Sequence, residues 1–145
     1  MQPSVLVIED SASVRRLIDV CLRPLGAEMR FAEDGLIGLN AARVGVPDVI
    51  ILDIGLPGLD GWEVLSQLRS DSRTLDVRVL VLTAHAQPEM ADRAAAGGAD
   101  DFMTKPFRPN DLRISVEALL NPTVGASPAD QSNVESDQEK VESRK

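Results

Sequence analysis

Residues 49–61 read VIILDIGLPGLDG, and this stretch decides the fold. Val49 to Asp53 form a short, nearly continuous run of branched apolar residues closed by an acid and followed by Gly and Pro. A solvated strand would alternate polar and apolar residues, whereas an unbroken run belongs to a strand covered on both faces, as in a parallel sheet. Working outward, the same pattern recurs as VLVIED at 5–10 and VLVLT at 79–83, and the short run DFMTK at 101–105 reads as a further strand. A weaker segment, EMRFA at 28–32, alternates as an edge strand would. Helical periodicity fills the gaps. Val14, Leu17, Ile18, Cys21, Leu22 and Leu25 recur at steps of three and four, giving one apolar stripe on a helix that Ser11 or Ser13 can cap and Gly26 ends. Further helices are expected at about 35–43, 61–70, 89–96 and 110–120, the last with Leu112, Val116 and Leu119 on one face. Strand followed by helix, five times over, predicts an α/β fold with a doubly wound parallel sheet.

The chain of 145 residues, 43% of them hydrophobic, suffices for one sizeable core and is short for two. From about Asn121 the composition shifts to Ser, Asp, Glu, Gln, Pro and Lys and periodicity is lost. The expected organisation is therefore one domain over 1–120 and a disordered polar tail over 121–145. A formal net charge of −8, with no basic patch, argues against direct contact with DNA or RNA. Cys21 is the single cysteine and fits a packed thiol in a reducing, cytoplasmic setting. Neither a signal peptide nor a stretch long enough to span a bilayer is visible, so no membrane association is expected.

In an open α/β sheet, ligands bind beyond the carboxyl ends of the strands, so the residues that close the strands are the candidates for chemistry. They are Glu9 and Asp10, Asp53, Thr83 and Lys105. Taken singly, each has an ordinary structural role. Together, three carboxylates on one rim repel by about 3 kcal/mol per pair at about 5 Å and an effective dielectric of about 20. A hard divalent cation offsets this naturally, magnesium being suited to carboxylate, water and phosphate oxygens. With a metal, a lysine and a hydroxyl around it, the Asp53 carboxylate can act as a nucleophile toward phosphorus and form an acyl phosphate. Residues 1–120 hold eleven arginines and one lysine. Lys105 is thus kept in an arginine-preferring sequence for something other than charge.

These segments resemble the response regulator receiver domains of two-component signalling over nearly all of 1–120, in a stand-alone, chemotaxis-regulator-like form. VLVIED is similar to the family's first strand with its acidic pair, VIILDIGLPGLDGWEVL to the segment around its phosphoacceptor, VLVLTA to its hydroxyl strand and GADDFMTKPF to its lysine strand. The resemblance implies a flavodoxin-like sheet of strand order 2-1-3-4-5. It makes Asp53 the phosphoacceptor and Asp10 a direct ligand of magnesium or manganese. Glu9, where aspartate is commoner, would act largely through metal-bound water, and the Gly55 backbone carbonyl would be a further ligand. Lys105 and Thr83 would contact the phosphoryl group, Pro106 would follow a cis peptide bond, and Thr83 with Phe102 would form the switch, Ala84 leaving room beside Thr83. Gly55 and His85 stand where the family tunes acyl phosphate lifetime.

By the same resemblance the chain is a regulatory phosphoacceptor rather than an enzyme, with only weak intrinsic phosphotransfer and autodephosphorylation. A histidine kinase or histidine phosphotransfer domain would dock near Ser11 to Leu17 as phosphodonor, and a downstream protein would bind the face formed by residues about 87–121. Three alternatives remain open. A phosphatase or phosphotransferase of free metabolites generally carries a second acid two residues after its nucleophile, where this chain has Gly55. The others are an interaction module that works without phosphorylation and a fragment of a larger transcription factor or hybrid kinase.

Overall fold

A computed structural model describes residues 2–85 and 87–121; the expected tail from 122 onward lies outside the described residues. The elements follow as β1 (Ser4–Ile8), α1 (Ala12–Leu22), β2 (Glu28–Ala32), α2 (Gly35–Val44), β3 (Val49–Asp53), α3 (Gly61–Ser70), β4 (Arg78–Thr83), α4 (Pro88–Ala96), β5 (Asp101–Thr104) and α5 (Pro109–Leu120). All strand pairs are parallel and their order is β2-β1-β3-β4-β5. The fold is the doubly wound, flavodoxin-like one.

Side chains of successive strand residues point to opposite faces, and here each face has its own core. Leu6, Ile8, Ile50, Leu52, Val79 and Val81 pack beneath Leu39 of α2, Val64, Leu65 and Leu68 of α3 and Ala94 of α4. Val5, Val7, Val49, Ile51, Leu80 and Leu82 pack beneath Ile18, Cys21 and Leu22 of α1 and Leu112 and Val116 of α5. This two-sided burial explains why β1, β3 and β4 show almost no polar residue. Burial pushes the Cys21 thiol above its usual range, as expected of a packed cysteine. Among the described residues no helix is long and apolar enough to cross a membrane.

Side-chain caps start three helices: Ser11 accepts from the Val14 amide, Asp34 from Ile37 and Asp60 from Glu63, each satisfying an otherwise unpaired first-turn donor. The helix expected to run to Gly26 stops at Leu22, and Arg23–Leu25 form a 3-10 turn. Pro24 is the reason, since it has no amide to continue the ladder and its ring crowds the preceding turn. Two strands also end earlier than expected. β1 stops at Ile8, although the Glu9 amide still donates to Ala32 O at 3.0 Å, and Lys105 lies beyond β5, its amide donating to Thr83 O at 2.7 Å. The Lys105–Pro106 peptide bond is cis.

The strand order reverses between β1 and β3, so their carboxyl ends flank the crevice where such sheets bind ligands. The loop after Asp53 folds back there, and Gly61 permits it. A Cβ on Gly61 would lie 2.5 Å from Ile54 Cα and 2.7 Å from the Asp53 carbonyl oxygen. Both are backbone atoms that cannot turn aside. Gly61→Ala is therefore expected to lower stability by about 1–3 kcal/mol, the usual cost of overpacking. Urea denaturation reads this directly, and an unchanged midpoint would show that the loop yields freely.

Candidate phosphoacceptor site

The crevice brings four of the expected residues together. One carboxylate oxygen from each of Glu9, Asp10 and Asp53 lies within 4.8 Å of the others. Glu9 is 1% and Asp53 4% exposed, while Asp10 faces solvent. Lys105 reaches across the rim, its Nζ standing 3.2 Å from Glu9 Oε1 and 3.4 Å from Asp53 Oδ2. The second oxygen of each buried acid accepts a backbone N–H, Asp53 Oδ1 from Gly55 at 3.0 Å and Glu9 Oε2 from Ser11 at 3.1 Å. Burying a carboxylate is costly unless it is paired and hydrogen-bonded, and both acids meet that condition.

Three carboxylates against one ammonium still leave the rim net negative. Burial pushes the Glu9 carboxyl above its ordinary range; the Ser11 amide opposes this, the Asp53 charge adds to it, and Lys105 opposes it again. At Lys105, burial alone would lower the pKa, but the Asp53 and Glu9 charges outweigh it and the ammonium is held above its usual range. The donor set fits a hard divalent cation: oxygen ligands only, converging, with excess negative charge.

Thr83 closes β4 beside Asp53, their strands paired through Asp53 and Leu82. It is 2% exposed, and its Oγ1 accepts the backbone N–H of His85 at 3.1 Å. His85 itself is exposed, as are Gly55 and Ala84. Phe102 is not on the rim. It pairs with Val81 two residues before the Thr83–Thr104 pair and packs half-buried against the α3 and α4 side of the core.

Sequence reading missed Arg15. Its guanidinium donates to the Glu9 carbonyl oxygen at 2.7 Å and ties the start of α1 to the end of β1. The available signal was that Arg15 stands one helical turn beyond the capping Ser11, on the side of α1 that faces the strand end.

Residues 5–117 match the family model described as response regulator receiver domain. The DNA-binding dual master transcriptional regulator RpaA of Synechocystis sp. is 39% identical over 121 residues, covering 83% of this chain and 50% of that protein. The phosphate regulon transcriptional regulatory protein PhoB of Escherichia coli is 36% identical over 120 residues, covering 83% and 52%. Among solved structures, chemotaxis protein CheY4 of Vibrio cholerae superposes with a TM-score of 0.77 at 32% identity, covering 83% of this chain and 100% of that one. A putative response regulator from Chloroflexus aurantiacus gives 0.79 at 30% identity, covering 83% and 99%. The chain spans about half the length of the curated relatives it matches.

These relatives correct one expectation. The net charge excluded direct contact with nucleic acid, yet RpaA is named as DNA-binding. Charge describes only the surface of the residues that carry it. An acidic domain places no constraint on contacts made elsewhere in a protein of about twice its length, so the exclusion does not hold.

The electrostatics carry a pH signature. A carboxyl whose folded pKa is raised binds its proton more tightly in the folded state. Its contribution to stability is full below the unfolded value, 4.5 for Glu9, and is lost as pH rises through the folded value. Without divalent metal, the melting temperature of Glu9→Gln should thus climb relative to wild type as pH increases past 4.5. A difference between the two proteins that stays constant with pH would show that Glu9 is not held in this way.

Proposed function

The chain belongs to the response regulator receiver domain family of two-component signalling, and on that footing we propose that it is a switch thrown by transfer of a phosphoryl group onto Asp53. Receiver domains are regulatory phosphoacceptors, not enzymes in the usual sense. The observation that carries the reading is the setting of Asp53: 4% exposed, at the head of the central strand, with Lys105 Nζ on one oxygen and the Gly55 N–H on the other. A carboxylate that only balanced charge would need neither this burial nor two donors of different kinds.

In the proposed reaction an oxygen of Asp53 attacks the phosphorus of a phosphohistidine. The new P–O bond forms as the P–N bond breaks, and the imidazole leaves with the bonding electron pair. Lys105 neutralises charge on the transferred group, and the Thr83 hydroxyl donates to one of its oxygens. Magnesium, held by Asp10, Asp53 and the Gly55 carbonyl with Glu9 behind them, would neutralise further phosphoryl charge. Thr83 with Phe102 would then relay the change, while Gly55 and His85 would set access of water to the acyl phosphate. We take residues 1–120 as the switching unit, with a histidine kinase or histidine phosphotransfer domain as donor and the face over residues about 87–121 as output. The relatives' names support transcription as the class of output.

Exposure to a small acyl phosphate with and without magnesium, followed by peptide mass analysis, tests the acceptor. Asp53→Ala should take up no phosphoryl group, and undiminished uptake would refute the assignment. Lys105→Arg keeps the charge, yet phosphorylation should weaken and its effect on Phe102 should weaken more. A planar guanidinium competes for two oxygens where a compact ammonium serves one. Identical NMR shifts of Phe102 at equal phosphorylation would reduce Lys105 to a source of charge.

A further inference from the structure

One peptide unit joins the two acids of the first strand end, and its carbonyl oxygen has a single partner. β1 stops at Ile8, and the Glu9 amide makes its last bond to the sheet, donating to Ala32 O at 3.0 Å where β2 also ends. No amide of the ladder is left for the Glu9 carbonyl. Among the described residues its only donor is Arg15 Nη1, at 2.7 Å. Glu9 is 1% exposed, and a backbone oxygen of so buried a residue is rarely left without a partner.

Arginine is a pointed choice for this bond. A guanidinium so close to an acidic rim would ordinarily fork onto a carboxylate, yet Arg15 donates to the main chain, and Asp19, one turn further along α1, lies with Arg23 instead at 3.9 Å. The base of the side chain is fixed. Ser11 O accepts the Arg15 amide at 3.0 Å, Ser11 Oγ caps the same turn, and Ile18, Cys21 and Leu22 sink the helix into the core. Arg15 is thus a strut from a packed helix to the peptide that carries the acids. The acids depend on that peptide unequally. Bonds from the Ser11 amide and from Lys105 hold the Glu9 carboxylate by themselves. The Asp10 side chain faces solvent, with no hydrogen bond to its carboxylate among the described residues, so its aim rests on its backbone.

We propose that Arg15 is a positioning residue of the cation site, fixing the Glu9–Asp10 peptide so that the Asp10 oxygen stays converged with those of Glu9 and Asp53. The proposal rests on the reading of these three acids as the groups that hold magnesium. Groups that orient metal ligands change affinity by about 10- to 100-fold, and one that works through a peptide belongs at the lower end, about tenfold. Charge acts in the opposite direction. A guanidinium beside the site repels a divalent cation, so a purely electrostatic Arg15 would weaken binding, and its removal would tighten it. Positioning requires that its removal loosen binding, and the two roles therefore differ in sign.

Magnesium affinity can be read from the NMR shifts of the Asp10 and Gly55 amides as magnesium chloride is added, with no phosphodonor and below the melting transition of every variant. Arg15→Met removes donor and charge together and should weaken binding about tenfold. Arg15→Lys keeps the charge on a stem of shorter reach and should weaken it too, though less. Arg69→Met is the control for lost stability. Arg69 also bonds to main chain, gripping the turn after α4 through Nε to Gly98 O at 3.0 Å and Nη2 to Asp100 Oδ2 at 3.1 Å, with Nη1 on Val77 O at 2.7 Å. Those bonds lie at the end of β4 away from the rim, so Arg69→Met should melt earlier and bind magnesium as wild type does. Arg15→Met with affinity equal to or tighter than wild type would overturn the proposal, as would Arg15→Lys with wild-type affinity. Equal weakening in Arg69→Met would reduce the effect to lost stability and overturn it as well. Should Arg15→Met fail to fold, Arg15→Lys decides by itself. A wild-type protein whose amides do not respond to magnesium would refute the ligand reading and the proposal with it, whereas intact wild-type binding beside an unimpaired Arg15→Met would refute the role of Arg15 alone.

Discussion

One ammonium group between two buried carboxylates sets the terms for the rest of the domain. Lys105 touches Glu9 and Asp53 at once, and without it two nearly dehydrated acids would face each other at the end of the sheet. A buried pair adds little net stability compared with apolar residues of the same shape, but loss of one partner strands the other at high cost. The arrangement is better understood as a loaded site. Charge is assembled where solvent is scarce, in groups already in place.

The sheet exists to hold that loading. The two acids and the lysine come from the ends of β1, β3 and β5, and none of those strands can shift without disturbing a core on each face of the sheet. Close-packed interiors do not deform gradually. The five α-helices are held unequally against the sheet, and α4, with a single buried side chain, is the least firmly packed of them.

Much of this was legible in the sequence, for physical reasons. Unbroken Val, Ile and Leu in 49–52 identify a strand covered on both faces, and residues that close such strands converge whether or not they are neighbours in the chain. Asp53, Glu9, Asp10 and Lys105 could be found that way. The bonds that grip the α4 turn could not. Arg69 lies 29 residues from Gly98 and 31 from Asp100, and a long side chain bonding to backbone oxygens leaves no periodic trace. The Arg93 guanidinium over the Trp62 ring, 4.3 Å from its centroid, is equally silent, since each residue alone is an ordinary member of a helix surface. Strand ends were misjudged for a simpler reason: Glu9 and Lys105 continue the backbone hydrogen bonding of their strands for one residue, so no change in sequence pattern marks the boundary.

The bond between Lys105 and Glu9 spans 96 positions of the chain. A nascent chain emerges amino end first and folds domain by domain, so the acids leave the ribosome long before the lysine that completes their site. Until β5 has been added to the edge of the sheet, Asp53 lacks its counter-charge, and an incomplete chain has no finished site. The longest-range contact of the site thus makes its completion a property of the fully synthesised domain.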